Sequence, residues 1–250
     1  MPLKILVAFM LIAQVIYGQD EVLPLWPGLA PGESSNSVGE AMPARANEQP
    51  PITRLVNVRK PTMTVYSPTV EPNGTAVVIL PGGGFAKVVP DLEGSEAANR
   101  FNKLGITAFV VNYRTNEAKS QDEPNWKRPL QDAQRALRLV RSNAENWQLD
   151  PEKVGLLAFS AGGQVGAMLI TAKESHYAAV DESDEVSFRP DFAMLVYPWQ
   201  VLQPGTEDLL PQIAVDKATS PTFIVHTHDD RSSSIGAVEI YAAMKRNNVP

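Results

Sequence analysis

The chain has 250 residues, 44% of them apolar and 20% charged, an ordinary globular composition with enough length for one sizeable core. A formal net charge of −6 argues against nucleic acid, or an anionic membrane surface, as the main partner. There is no cysteine, which excludes disulfides and a lipoprotein attachment site.

The first element is a targeting segment. Lys4 supplies a positive start, residues 5–16 are apolar except Gln14, and Gly18 offers a small residue for cleavage before Gln19. The run is too short to span a bilayer comfortably and has no stop-transfer flank. Residues 1–18 therefore read as a signal peptide of a secreted or periplasmic protein with no stable membrane insertion. Residues 19–50 read as an extended N-terminal arm: 25–32 is rich in Pro and Gly, and 34–49 is polar without a period.

Residues 51–250 read as one α/β domain. Residues 62–66 alternate with period two, and 75–80 and 106–111 are continuous apolar runs, as strands buried on both faces should be. Residues 93–104 read as a helix ended by Gly105. Leu130, Ala133, Ala136, Leu137 and Val140 mark the apolar face of a longer helix. Strands are expected over 154–159, 192–197 and 222–227, a small-residue helix from Ala161 to Thr171, and a last helix over 235–247. This alternation predicts a mostly parallel central sheet flanked by helices on both faces, with ligands at the carboxyl ends of the strands.

Three motifs fall on that edge. Ala158-Phe159-Ser160-Ala161-Gly162-Gly163 joins a strand to a helix, and a serine on such a sharp turn is an exposed nucleophile. The crowding of the turn explains the small residues around it. Pro81-Gly82-Gly83-Gly84-Phe85 follows another strand. Acyl transfer needs preorganised N–H donors for its oxyanion, and a glycine run, completed by the N–H of Ala161, suits that task. The spacing fits neither phosphate-loop pattern. His226-Thr227-His228-Asp229-Asp230-Arg231 follows a third strand and supplies a triad acid, Asp230 in first place and Asp229 in reserve.

With these motifs, and with Leu25-Trp26-Pro27-Gly28 and Pro129-Leu130-Gln131-Asp132-Ala133-Gln134-Arg135-Ala136, the chain resembles bacterial carbohydrate esterases of the α/β-hydrolase fold. The group is the acetyl xylan esterase-like one, akin to the hormone-sensitive lipase family. The resemblance runs over nearly the whole chain after the leader. It implies a serine carboxylesterase that removes acetyl or other short acyl groups, from a xylan-type polysaccharide or a small ester, through an acyl-enzyme. It further implies Ser160 as nucleophile, Asp230 as acid, Gly83, Gly84 and Ala161 as oxyanion donors, and no cofactor or metal. Pro81 replaces the His of the commoner oxyanion motif, and Ala158 the first Gly of the serine turn.

The catalytic His of that family lies in a loop after one more strand, beyond the acid. This chain reaches Pro250 without one, so the last strand and the His loop are expected to be missing. His176 should lie nearly 20 Å from Ser160, about twelve helical residues at roughly 1.5 Å rise. His226 should be packed within a strand, and His228 is a weak substitute base. Two alternatives come from other classes. His226-x-His228-x-Asp230 is close to a metallohydrolase ligand motif, though the final His is replaced by Arg231. A non-catalytic carbohydrate-binding relative would keep the same fold. Trp126, Tyr197 and Trp199 are candidates to stack on a sugar ring.

Overall fold

The computed structural model describes residues 21–116 and 123–250. The expected signal peptide lies outside the described residues. Strand β1 (Glu21–Pro24) is followed by the hairpin pair β2 (Val38–Ala41) and β3 (Leu55–Val58), then β4 (Thr62–Tyr66) and β5 (Ala76–Leu80). Helix α1 (Glu96–Asn102), β6 (Thr107–Asn112), α2 (Lys127–Ser142), β7 (Val154–Phe159), α3 (Ser160–Thr171), β8 (Ala193–Val196), β9 (Thr222–Val225) and α4 (Ile235–Arg246) complete the order.

Seven strands form the main sheet in the order β1-β4-β6-β5-β7-β8-β9. From β6 to β9 every neighbour is parallel, while β1 and β4 run antiparallel at the other edge. β5 is buried at all five positions, which is why its sequence is a continuous apolar run. Its pleat sends Val78 and Leu80 to one face, in the core of α2, α3 and α4, and Val77 and Ile79 to the other, against Ala98 of α1. Helices thus lie on both faces. β9 is the edge strand, with Phe223 and Val225 exposed.

Two expectations need correction. From residue 21 the segment read as an extended arm is not simply irregular: β1 pairs with β4, β2 pairs with β3, and Leu25, Trp26 and Ala30 are buried. Four-residue strands at a sheet edge are too short to leave a readable period. The helix expected over 93–104 is a wide i→i+5 turn over Asp91–Ser95 followed by α1. Glu93 breaks the helix with φ −104° and ψ 16°.

The buried polar groups tie two sequence motifs, Leu25–Gly28 and Pro129–Ala136, together. Asp132 on α2 accepts hydrogen bonds from Trp26 Nε1 at 2.9 Å, the Arg114 backbone N–H at 2.9 Å and Arg114 Nε at 3.0 Å. Arg114 also donates to the carbonyl of Pro31 at 2.6 Å and to Gln131 Oε1 at 2.8 Å. On the next turn of α2, Arg135 donates to the Leu25 carbonyl and pairs with Asp181 and Asp184. The Leu25–Gly28 segment is therefore clamped to α2 through buried charges that satisfy one another.

Candidate active site

Parallel strands carry the three motifs to one edge. Leu80 of β5 is in register with Ala158 of β7, and Phe159 with Val196 of β8. Val196 is in register with Val225 of β9 in turn, and the chain leaves β5, β7, β8 and β9 at Pro81, Ser160, Tyr197 and His226, so these turns share one edge. Ser160 has φ +50°, the left-handed region that a serine turn between strand and helix demands, at a typical cost of about 1–3 kcal/mol. Its carbonyl accepts the N–H of Trp199 at 3.0 Å, which helps hold the turn. A Cβ at Gly162 would stand 2.3 Å from the Leu80 carbonyl oxygen, so the helix can approach the glycine loop only if that residue is glycine. Ala161 is fully buried in the first turn of α3, where N–H groups have no intrahelical acceptor.

The glycine loop is fixed at several points. The buried hydroxyl of Tyr113, at the end of β6, donates to the Pro81 carbonyl at 2.6 Å. Burial pushes that phenol far above its usual range, so it remains a donor. The Gly82 carbonyl accepts from Val89 N–H at 3.1 Å, and the Phe85 carbonyl from Asn116 N–H at 2.8 Å. Gly82 N–H donates to Glu93 Oε2 at 2.6 Å. Gly83 and Gly84 take φ of +138° and +63°, and among the described residues no acceptor takes their N–H groups.

Gly83, Gly84, Ser160 and Asp230 line one open cavity of about 890 Å³, together with Glu93, Tyr197, Trp199 and Asp229. Asp230 Oδ1 accepts the N–H of Ser232 at 2.7 Å and its hydroxyl at 2.9 Å. These two bonds hold the Asp230 carboxyl below the usual carboxylate range. Of the three aromatics considered for sugar stacking, Tyr197 and Trp199 face the cavity. Trp126 instead packs edge-on against the His176 ring, 5.9 Å between centroids.

The histidines lie elsewhere. His176 donates its backbone N–H to Gln134 on the far side of α2, and burial lowers its pKa. His226 sits just past the end of β9 rather than within it, with a side chain only 2% exposed and Nε2 3.2 Å from Ser232 Oγ. His228 is exposed along the β9–α4 groove with Tyr241 and Val238, a cavity separate from that of Ser160. His226, His228 and Asp230 do not form a ligand set: among the described residues no three acidic or imidazole side chains are grouped to hold a metal ion. His226 Nε2 lies 4.0 Å from Asp230 Oδ1, and His226 and His228 both line the β9–α4 groove, which Asp230 does not.

Reasoning from the sequence missed Glu93 and Arg114. Glu93 read as an ordinary acid in a first helical turn, and its partners lie 11 and 104 residues away. Arg114 had only its position after a strand to mark it.

The family model BD-FAE matches residues 63–191, which run from β4 through the serine turn and α3 to just before β8. The chain belongs to the BD-FAE family. It is 31% identical over 212 residues to an acetylxylan esterase of Xylanibacter ruminicola, a match covering 74% of this chain and 40% of that protein. The chain spans well under half the length of the curated relatives it matches. Among solved structures it is similar to an acetyl ester-xyloside bifunctional hydrolase from Caldicellulosiruptor lactoaceticus, with TM-score 0.68, 26% identity, and 92% of this chain and 83% of that one covered. An alpha/beta hydrolase enzyme from a Medee basin deep-sea metagenome library superposes with TM-score 0.61 at 26% identity, over 80% of this chain and 78% of that one. The fold of this BD-FAE chain is that of the α/β hydrolases.

Proposed function

We propose that the protein is a serine carboxylesterase that removes acetyl or other short acyl groups from carbohydrate or small-molecule esters. One observation carries the reading: Ser160, on its left-handed turn, shares a cavity with two glycine N–H groups that have no acceptor among the described residues. The similarity to an acetylxylan esterase and to an acetyl ester-xyloside hydrolase supports acetylated xylan-type sugars as the substrate class. Tyr197 and Trp199 offer ring faces beside the nucleophile for such a sugar.

In this mechanism Ser160 Oγ attacks the acyl carbon and its proton passes to a base. The carbonyl oxygen becomes an oxyanion held by the N–H groups of Gly83, Gly84 and Ala161. The intermediate collapses, the sugar oxygen takes that proton from the base and leaves as the neutral alcohol, and Ser160 carries the acyl group. Water then attacks the acyl-enzyme and gives a proton to the base, which passes it to Ser160 Oγ as the carboxylic acid departs. Asp230 is the acid of the triad, ionised across the neutral range and placed to orient an imidazole. None of the three histidines lines the cavity in this arrangement. Export fits the same reading. Residues 1–18 have the pattern of a cleaved leader, and no helix among the described residues is long and apolar enough to cross a membrane.

The test is Ser160→Ala, assayed on p-nitrophenyl acetate and an acetylated xylo-oligosaccharide. Loss of a triad nucleophile typically costs on the order of a millionfold in kcat. Labelling by a fluorophosphonate should map to Ser160 by peptide mass spectrometry. Near-wild-type hydrolysis in the alanine variant would end the serine-esterase reading.

A further inference from the structure

The cavity wall holds a carboxylate that the acyl-transfer scheme leaves without a role. Glu93 lies in the wide turn Asp91–Ser95, with backbone angles outside the helical region. One of its oxygens, Oε2, accepts the Gly82 N–H at 2.6 Å. The other, Oε1, accepts the Tyr197 hydroxyl at 2.8 Å. A Cβ built on Gly82 would stand 2.5 Å from Glu93 Oε2 and 2.7 Å from Ser160 Cβ. Gly82 is therefore wedged between this carboxylate and the nucleophile.

Both bonds are of the strong, charge-assisted kind. Burial, and then the charge of Glu93, push the Tyr197 phenol far above its ordinary range, so it stays a donor throughout the neutral range. The turn that presents Glu93 is itself anchored, because Asp91 accepts the N–H groups of Thr53 and Leu92. Tyr197 is held in turn with φ +39°, its N–H bonded to the Val225 carbonyl at 2.7 Å. The result is a bridge from the loop after β5 to the loop after β8, passing beside Ser160. It takes up the Gly82 N–H and so leaves the next two peptide groups as the oxyanion donors.

We propose that Glu93 is a positioning residue for acyl transfer, bridging the Gly82 N–H and the Tyr197 hydroxyl so that the Gly83 and Gly84 N–H groups keep their aim beside Ser160. The inference rests on the esterase reading and moves no proton. A misplacement of about 1 Å at a reacting centre costs on the order of a hundredfold. Glu93→Ala should therefore lower kcat about a hundredfold while KM changes little. Glu93→Gln keeps one acceptor oxygen and should recover part of that loss. Tyr197→Phe should fall about tenfold, leaving Glu93 still on Gly82.

The experiment measures kcat and KM on p-nitrophenyl acetate for the full chain and these variants. In parallel, the dissociation constant of phenylboronic acid, which forms a tetrahedral adduct on serine, is read by boron NMR, and thermal midpoints are recorded. The proposal expects kcat and boronate affinity to fall together, in the order Ala below Gln, with KM and the midpoint little changed. Wild-type kcat and boronate affinity in both Glu93→Ala and Tyr197→Phe would overturn it. So would Glu93→Gln being as inactive as Ser160→Ala, which would make the carboxylate a proton acceptor. A loss of kcat only in step with the thermal midpoint would reduce Glu93 to a structural residue. A wild-type chain that forms no boronate adduct on Ser160 would instead refute the esterase reading itself.

Discussion

Asp132→Ala tests whether the buried charge cluster holds the N-terminal segment on the domain. Asp132 and Arg114 are both fully buried, and the substitution removes the acceptor for Trp26 Nε1, the Arg114 backbone N–H and its guanidinium. Removing one partner of a buried pair typically costs about 3–5 kcal/mol, because the other charge is left uncompensated. Here the lower end is expected. Arg114 keeps the Pro31 carbonyl at 2.6 Å and Gln131 Oε1 at 2.8 Å, and Glu33 lies 3.8 Å away. With a urea m-value of roughly 3 kcal/mol/M, a loss of about 3 kcal/mol lowers the midpoint by about 1 M. The assay is urea unfolding followed by tryptophan fluorescence, with Trp26→Phe and the double variant completing a cycle. Trp26→Phe should cost about 1 kcal/mol for its hydrogen bond in the wild type and markedly less in the Asp132→Ala background. An Asp132→Ala midpoint within about 0.2 M of wild type, or a cycle with no coupling, would refute the reasoning.

In a protein that carries the triad histidine, Asp230→Asn should lower kcat about ten-thousandfold by favouring the wrong imidazole tautomer, and Asp229→Asn far less; steady-state kinetics showing the reverse would move the acid to Asp229. Ser232→Ala removes the hydroxyl bond but not the backbone one, so the Asp230 carboxyl should titrate higher than in wild type yet still below its ordinary value, read by carbon NMR. The sign follows from the depressed pKa: the ionised form is favoured by folding, a contribution present above the unfolded pKa and lost as pH falls through the folded one. Gly162→Ala drives a methyl against the Leu80 and Pro81 carbonyls, at 2.3 and 2.6 Å, and should cost at least about 1–3 kcal/mol together with a fall in kcat, measured by thermal melts and kinetics on the same preparation.

The sequence alone determined the elements whose burial is uniform or periodic. Residues 76–80 and 154–159 are central parallel strands, and a chain buried on both faces has to be apolar throughout. The serine turn and the glycine run were legible for a related reason, since left-handed backbone and close approach restrict residue type locally. Tertiary structure alone decided which side chains serve those motifs. Glu93 and Tyr197 meet across 104 residues, and Trp26 and Asp132 across 106, contacts that no local pattern encodes. It also decided that His226 and His228, two residues apart, face different surroundings from Ser160: the strand ends at Val225 and the turn beyond it directs each side chain by packing, not by spacing.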